Sequence, residues 1–419
     1  MPSQDGGARC SWERGRALSA LVVGLAVALA LARPCTAAVI DCASEDVACL
    51  IAAVNTANAS GGANTIQLQA GIYSLKAPDN SNTDGPNGLP SITSVLTIVG
   101  AGLGTTIIER DATAPDFRLL HVAATGHLKL ERLTARGGRI TGQSPGGAGI
   151  LNRGTAILSQ SALTDCKTMG IDAGGGGGIV SAGPLIIAGS IVSRNSAGGF
   201  GGGISTLGGL LTVVDSTISG NTGNIGGGLF IGGQTATIIG STIANNTATD
   251  GSGGGVFSTS PVAIINSTLT GNFTNFGGGG LADSGGGGII INTTIANNEI
   301  PIGGEALFSS SALAVYNTIV SGRQILNHPA CFGQVTSLGN NLFSDSSCAV
   351  TLLSDDLTGD PRLGDFTDDG TPGHGFLPLL RRSPALNAAD PGGCLPFDQR
   401  GHKRTAKGCD IGAIEGRRP

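Results

Sequence analysis

Acids, bases and thiols are the side chains of this chain that could do chemistry, and their spacing predicts little of it. Between Gly147 and Gln324 the acids are Asp165, Asp172, Asp215, Asp250, Asp283, Glu299 and Glu305, and the bases are Arg153, Lys167, Arg194 and Arg323. Cleavage of a glycosidic bond by hydrolysis needs two carboxyl groups roughly 5 to 10 Å apart. Elimination needs a base together with a cation that stabilises a substrate carboxylate. These residues fall at different phases of a repeating unit, so no pair converges and no catalytic residue is assigned. His121, His127, His328 and His402 show neither nucleophile nor metal-ligand spacing. Seven aspartates between Asp345 and Asp369 lack the register of a calcium loop and are expected to form solvated turns, so no metal and no cofactor is expected.

The cysteines suggest bracing. Cys42 with Cys49, Cys331 with Cys348, and Cys394 with Cys409 are close pairs that an oxidising compartment turns into disulfides, although spacing leaves the connectivity open. All three lie outside the repeats and are expected at the ends of the fold. Cys166 is left over and is expected as a small buried side chain.

The element that must position everything is a repeat. A Gly-Gly-Gly-aliphatic unit returns about every 26 residues between Gly147 and Arg323, closing on Ile150, Ile179, Ile204, Leu229, Val256, Leu281 and Leu307. A second marker keeps the same beat at Leu163, Val192, Ile218, Ile243, Leu269, Ile295 and Ile319. The density of glycine excludes helices, at roughly 1 kcal/mol per residue relative to alanine. What remains is one coil turn per repeat, with strands pairing in parallel at about 4.8 Å spacing: an all-β parallel β-helix. Stacking then puts the two aliphatic markers in inward columns and Asn195, Asn221, Asn246, Asn272 and Asn298 in an amide ladder, with Cys166 at the position one repeat earlier. Phe230, Phe257 and Phe308 each follow an inward marker by one residue, so alternation points them outward on one face, two of them on consecutive turns.

The ends read differently. Residues 1–38 are expected to be a secretory signal, with Arg9, Arg14 and Arg16 before an apolar run and small residues Thr36 and Ala38 at its close. Its removal takes four basic and two acidic residues from totals of 24 and 29, leaving 20 and 27, which recommends no nucleic-acid partner. No second run is long enough to cross a bilayer. Residues 39–63 form a capping segment in which Ser44 starts a short helix with Val47, Leu50, Ile51 and Val54 on one stripe, a lid over the first turn of the coil. The coil is expected over residues 64–324, irregular at first, with a polar loop from Pro78 to Pro90, and a separate module over residues 325–419.

That module carries recognisable motifs. They are Leu357-Thr358-Gly359-Asp360-Pro361-Arg362-Leu363-Gly364-Asp365, Ser383-Pro384-Ala385-Leu386-Asn387-Ala388-Ala389-Asp390, Asp398-Gln399-Arg400-Gly401 and Cys409-Asp410-Ile411-Gly412-Ala413-Ile414-Glu415. In this order they resemble the choice-of-anchor Q domain of secreted or surface bacterial proteins. The resemblance implies a right-handed parallel β-helix, pectate-lyase-like, with an irregular disulfide-braced C-terminal region. The family's Cys-Ser-Leu-Arg-Glu-Ala element is matched loosely by residues 48–53, which lack the Arg-Glu pair. Asn82-Thr83-Asp84 and Gly373-His374-Gly375 are short matches to polygalacturonases, but about 290 residues apart, and are set aside as coincidence.

The expected function is therefore non-enzymatic: a secreted or surface-displayed rod, monomeric, that contacts a glycan or surface protein, with Phe230, Phe257 and Phe308 as candidate contact strip. The alternative is a polysaccharide lyase or glycoside hydrolase acting on acidic polysaccharide.

Overall fold

The computed structural model describes residues 37–142, 145–170, 175–301, 305–322, 329–348, 351–405 and 408–416. Residues 1–38, expected from the sequence to be a signal, lie almost wholly outside them, and Asp172, Arg323 and His328 lie outside them too. The chain is a parallel β-solenoid whose described strands form ladders of 19, 12 and 6 members along the coil. One turn shows the plan. Ile204–Thr206 and Leu211–Val214 run in the largest sheet, Thr217–Ser219 in the second and Thr222–Gly223 in the third. Each segment pairs with its counterpart one repeat later.

Ile150, Ile179, Ile204, Leu229, Val256, Leu281 and Leu307 are register partners in one column and all are buried. Each contributes on the order of 1.5 to 3 kcal/mol by leaving water. The corner before each of the first six column residues requires glycine. Gly201 has φ +63°, and a Cβ there would come within 2.1 Å of the Ile204 carbonyl oxygen. The second column runs from Leu163 to Ile295 but continues into Val320, not Ile319. Two adjacent aliphatics made the step ambiguous. Ile319 instead pairs with Thr294 and faces outward.

The asparagine column is hydrogen-bonded turn to turn. The backbone N–H of Asn195, Asn221, Asn246 and Asn272 donates to Oδ1 of the next asparagine at 3.0 to 3.1 Å, and each Nδ2 donates to the same oxygen. Cys166 N–H starts the series on Asn195 Oδ1 at 3.0 Å. A second ladder runs parallel to it. Backbone N–H groups of Ser161, Ser190, Ser216 and Ser241 donate to the next serine hydroxyl at 3.0 to 3.2 Å. The residue before each ladder member makes a left-handed bend, as at Asp215, Asn266, Asn292 and Asn317. These are residue types that tolerate such a bend through local hydrogen bonds.

At the N-terminal end, Val39–Cys42 already forms a strand, paired with Ala63–Leu68. The helix between them is Val47–Ser60, and its cap is Asp46, whose carboxylate accepts from Cys49 N–H at 2.8 Å. Ser44 is not the cap, because Glu45 turns with φ +63° and places Asp46 one residue before the first turn. Leu50, Ala53, Val54 and Ala57 are buried in the core that fills the coil.

At the other end the coil does not stop at residue 324. Cys331–Ser337 and Leu342–Phe343 pair in parallel with the preceding turns, and Cys331 occupies the inward column after Leu307. Residues 363–405 and 408–416 fold back along the flank of the coil as a strap over the second sheet. The outward threonines Thr217, Thr242, Thr268 and Thr294 receive it. Gly373 N–H donates to Thr217 Oγ1 at 2.9 Å, Thr242 to Gly375 O at 2.8 Å, Thr268 to Gln399 Oε1 at 2.6 Å, and Ala413 N–H to Thr294 Oγ1 at 3.0 Å. The bend asparagines add Asn266 to Phe397 O, Asn292 to Gly393 O, Asn317 to Asp390 O and Asn340 to Ala388 O. Ile319 and Leu342 are buried here with Ala385, Ala389, Cys409 and Ile411.

The disulfides are Cys42–Cys49, Cys331–Cys348 and Cys394–Cys409, with Cys166 free and buried. The first two brace the coil ends. The third does not, because the strap that contains it lies beside the turns of Asn292 and Asn317.

Candidate functional site

The first strand of each turn has a central residue that points away from the core. Stacked in register, these residues read His121, Leu151, Val180, Ser205, Phe230, Phe257, Ala282, Phe308 and Phe332. Turn spacing of about 4.8 Å sets equal rings face to face. Phe230 and Phe257 stack with centroids 5.5 Å apart, and Phe200 joins from the neighbouring corner at 4.7 Å. Phe308 and Phe332 stack at 5.9 Å, and Ala282 separates the two groups. Phe332 is 60% exposed, and Leu207 and Leu210, at the turn beside this face, are half exposed. Phe230, Phe257 and Phe308 thus share one face, as their spacing predicts, and two more rings extend it. Phe332 was legible in principle: it follows Cys331, which holds the inward position, but an inward cysteine does not look like the aliphatic marker.

The same outward column begins at His121, where the loop of residues 78–90 lies against the coil as a small antiparallel hairpin, Asn80–Asn82 with Gly85–Asn87. Asp84 is gripped by Arg153, with Nε donating at 2.6 Å, and lies 3.3 Å from His121 Nε2. His121 Nδ1 is 2.9 Å from Ser91 Oγ and 3.2 Å from Asn82 Nδ2. Beneath them the buried Arg118 donates to Asn87 Oδ1 and to the carbonyls of Gly147, Asp84, Pro145 and Gly146. Hydrogen bonding from Arg153 holds the Asp84 carboxyl below the usual carboxylate range. Burial lowers the His121 pKa and pushes Arg118 down to about 10. His121 Nδ1 and both carboxylate oxygens have hydrogen-bond partners, while the buried His121 Nε2 faces Asp84 Oδ2 at 3.3 Å without forming a hydrogen bond. The arrangement fastens the hairpin to the coil.

Asn82-Thr83-Asp84 and His374 do not meet. Gly373 is docked on Thr217, and His374 lines a pocket of about 480 Å³ between strap and coil, together with Asp215, Gln399 and Arg400. Burial raises the Asp215 pKa, while the positive field of His374 opposes the rise. Arg400 lies 3.9 Å above the Phe376 ring.

The other acids of the repeats are scattered, as their phases predict. Asp165 forms a two-pronged pair with Arg194 at 2.8 Å. Asp283 is buried and accepts from Gly286 N–H, Gly287 N–H and the Ser309 hydroxyl. Asp250 and Glu299 are exposed, and Glu305 is buried. Among the described residues no three of His, Cys, Asp and Glu gather to hold a metal, and no helix is long and apolar enough to cross a membrane. No family model, no curated protein and no solved structure matches this chain.

Proposed function

We propose that this chain is a secreted or cell-surface β-solenoid that binds a glycan or a surface partner without turning it over, and that the phenylalanine column is where it binds. The observation that carries the reading is the row of stacked rings on one sheet face, half-buried at Phe230, Phe257 and Phe308 and exposed at Phe200 and Phe332, since apolar surface left in water on a folded protein marks an interaction site. Of the four motifs that resemble the choice-of-anchor Q module, the first adds the strand Leu357–Thr358 to the coil and leads into the strap, and the other three lie within the strap, in keeping with a bacterial surface protein. A glycan array probed with the chain from residue 39 onward tests this. Phe257→Ala and Phe332→Ala should each remove binding while leaving the fold intact; binding that survives both changes refutes the assignment to the column.

One observation favours a second reading, a lyase or hydrolase of acidic polysaccharide: Asp84, His121 and Arg153 meet on the outward side of the coil. Incubation with polygalacturonate and calcium decides it. Product absorbing in the ultraviolet, or new reducing ends, establishes the enzyme; binding without turnover supports the first reading.

A further inference from the structure

The sheet face that carries the phenylalanine column is free of surface charge over seven turns, although the chain as a whole has 24 basic and 29 acidic residues. In segments 180–188, 205–214, 230–239, 257–265, 282–291, 308–316 and 332–336 the one Asp, Glu, Lys, Arg or His is Asp283, which is buried and hydrogen-bonded within the chain. Arg153, in the turn ahead, ends the stretch. A second outward column runs beside the first on the same sheet, with Thr237, Ala263, Ile289, Ala314 and Thr336 in register. The two columns are matched in size. Phe230 and Phe332 share their turns with threonines and Phe257 and Phe308 share theirs with alanines, whereas Ala282, the one small residue among these rings, shares its turn with Ile289.

Building on the phenylalanine column as an interaction face, we propose that its partner is a second copy of this chain, packed face to face about a two-fold axis parallel to the coil axis. Such an axis sets each turn against the same turn of the other copy and exchanges the two columns. Phe257 then lies over the partner's Ala263, and Ala282 over the partner's Ile289, so large meets small in five successive turns. Sheets packed face to face about 10 Å apart need that interdigitation. An axis across the coil would set Phe257 against Phe308 and Ala282 against Ala282, rings colliding beside a gap. Extent points to the same occupant. Six steps of about 4.8 Å, by the seven residues of Cys331–Ser337 at about 3.3 Å each, make roughly 30 by 23 Å. That is about 700 Å² on each copy, close to the ~800 Å² per partner that stable complexes bury. A single glycan chain laid on the rings would leave the second column in water. Charge points there too: a surface with no ion pair to offer is matched by its own copy, which asks for none.

Sedimentation velocity of the chain from residue 39 onward tests this, with a dimer expected at about 1 to 10 μM, the weak end for an interface of this area. Ala263→Phe sets a ring against the partner's Phe257 and should weaken the dimer at least about tenfold, since the axis counts the clash twice. Phe257→Ala opens a gap and should weaken it too. The double variant Phe257→Ala, Ala263→Phe moves the ring from one column to the other, restores large against small, and should return the dimer to within about threefold of the parent. Monomer at about 100 μM overturns the proposal, as does a double variant no tighter than the single ones. If Ala263→Phe lowers the melting midpoint, Thr237→Phe with Phe230→Ala makes the same exchange two turns from Ala282. The glycan array separates the two readings of the face. A monomer whose array binding is lost in Phe257→Ala overturns the second copy and leaves the column as a glycan site, whereas a dimer rescued in the double variant, with no array binding in any form, supports the second copy as the occupant of the face.

Discussion

Replacing Asn246 by alanine removes four hydrogen bonds from the middle of the coil. Its Oδ1 accepts from the backbone N–H of Asn221 at 3.0 Å and from Asn221 Nδ2 at 2.9 Å; its Nδ2 donates to Ile218 O at 2.9 Å and to Asn272 Oδ1 at 3.0 Å. The site is fully buried, so water cannot replace what is lost. The Asn221 backbone N–H is left without an acceptor, at about 1 to 3 kcal/mol, and the other bonds contribute about 1 kcal/mol each at most, so the expected loss is about 3 to 5 kcal/mol. Asn246→Asp divides the effect. It keeps the acceptor for Asn221 but turns an oxygen toward the Ile218 carbonyl and Asn272 Oδ1. Denaturant melts followed by circular dichroism should show a lower midpoint with an unchanged slope. Because turns of a solenoid need not melt together, hydrogen exchange at the Asn221 amide provides the local reading. A loss below about 1 kcal/mol, or an Asn221 amide as protected as before, refutes the ladder as a source of stability.

Three further expectations follow from the same reasoning. Cys166→Asn extends the ladder by one turn, because Cys166 N–H already donates to Asn195 Oδ1, and should raise the denaturation midpoint by about 0.5 to 1.5 kcal/mol worth of stability. A lower midpoint would show that the pocket around residue 166 is too tight. Gln399 donates to Thr242 Oγ1, Gly373 O and Gly375 O and accepts from Thr268, so Gln399→Ala should expose residues 369–401 to limited proteolysis while the strand signal of the coil persists. Unchanged cleavage would mean the strap is held elsewhere. Acid should loosen the hairpin of residues 80–87 in two steps. His121 is held neutral by burial, so its contribution fades as pH falls below about 6.5; Asp84 is held ionised by Arg153, so its contribution is complete above about 3.9 and fades as pH falls through its lower folded value. Hydrogen exchange of the hairpin against pH should flatten in its upper limb in His121→Asn and in its lower limb in Asp84→Asn. A profile that neither variant alters would remove the hairpin's dependence on these groups.

The repeats made the coil readable because every inward residue recurs at one phase, and the asparagine ladder follows from the same beat. What the beat does not encode was lost. Ile319 looked like the next inward marker, since a step of one residue is invisible when Ile319 and Val320 are both aliphatic; only the strap, far away in sequence, reveals which one faces out. The outward threonines looked like ordinary strand formers, yet their hydroxyls are the docking points for residues 373–413. No local pattern announces that, because the strap has no period of its own and takes its shape from the surface it lies on.

The strap also changes what kind of object the coil is. A simple stack can peel from a free end, each layer parting only from the next. Here Gly373 is fastened near Thr217 while Ala388 is fastened at Asn340, so one stretch of chain laces distant layers together. Peeling from the C-terminal side must first undo that lacing, and the laced layers should then come apart as one block. The turns ahead of Thr217 lie outside it and rely on the Val47–Ser60 helix and the hairpin at Asp84, which makes the N-terminal half the place where fraying starts.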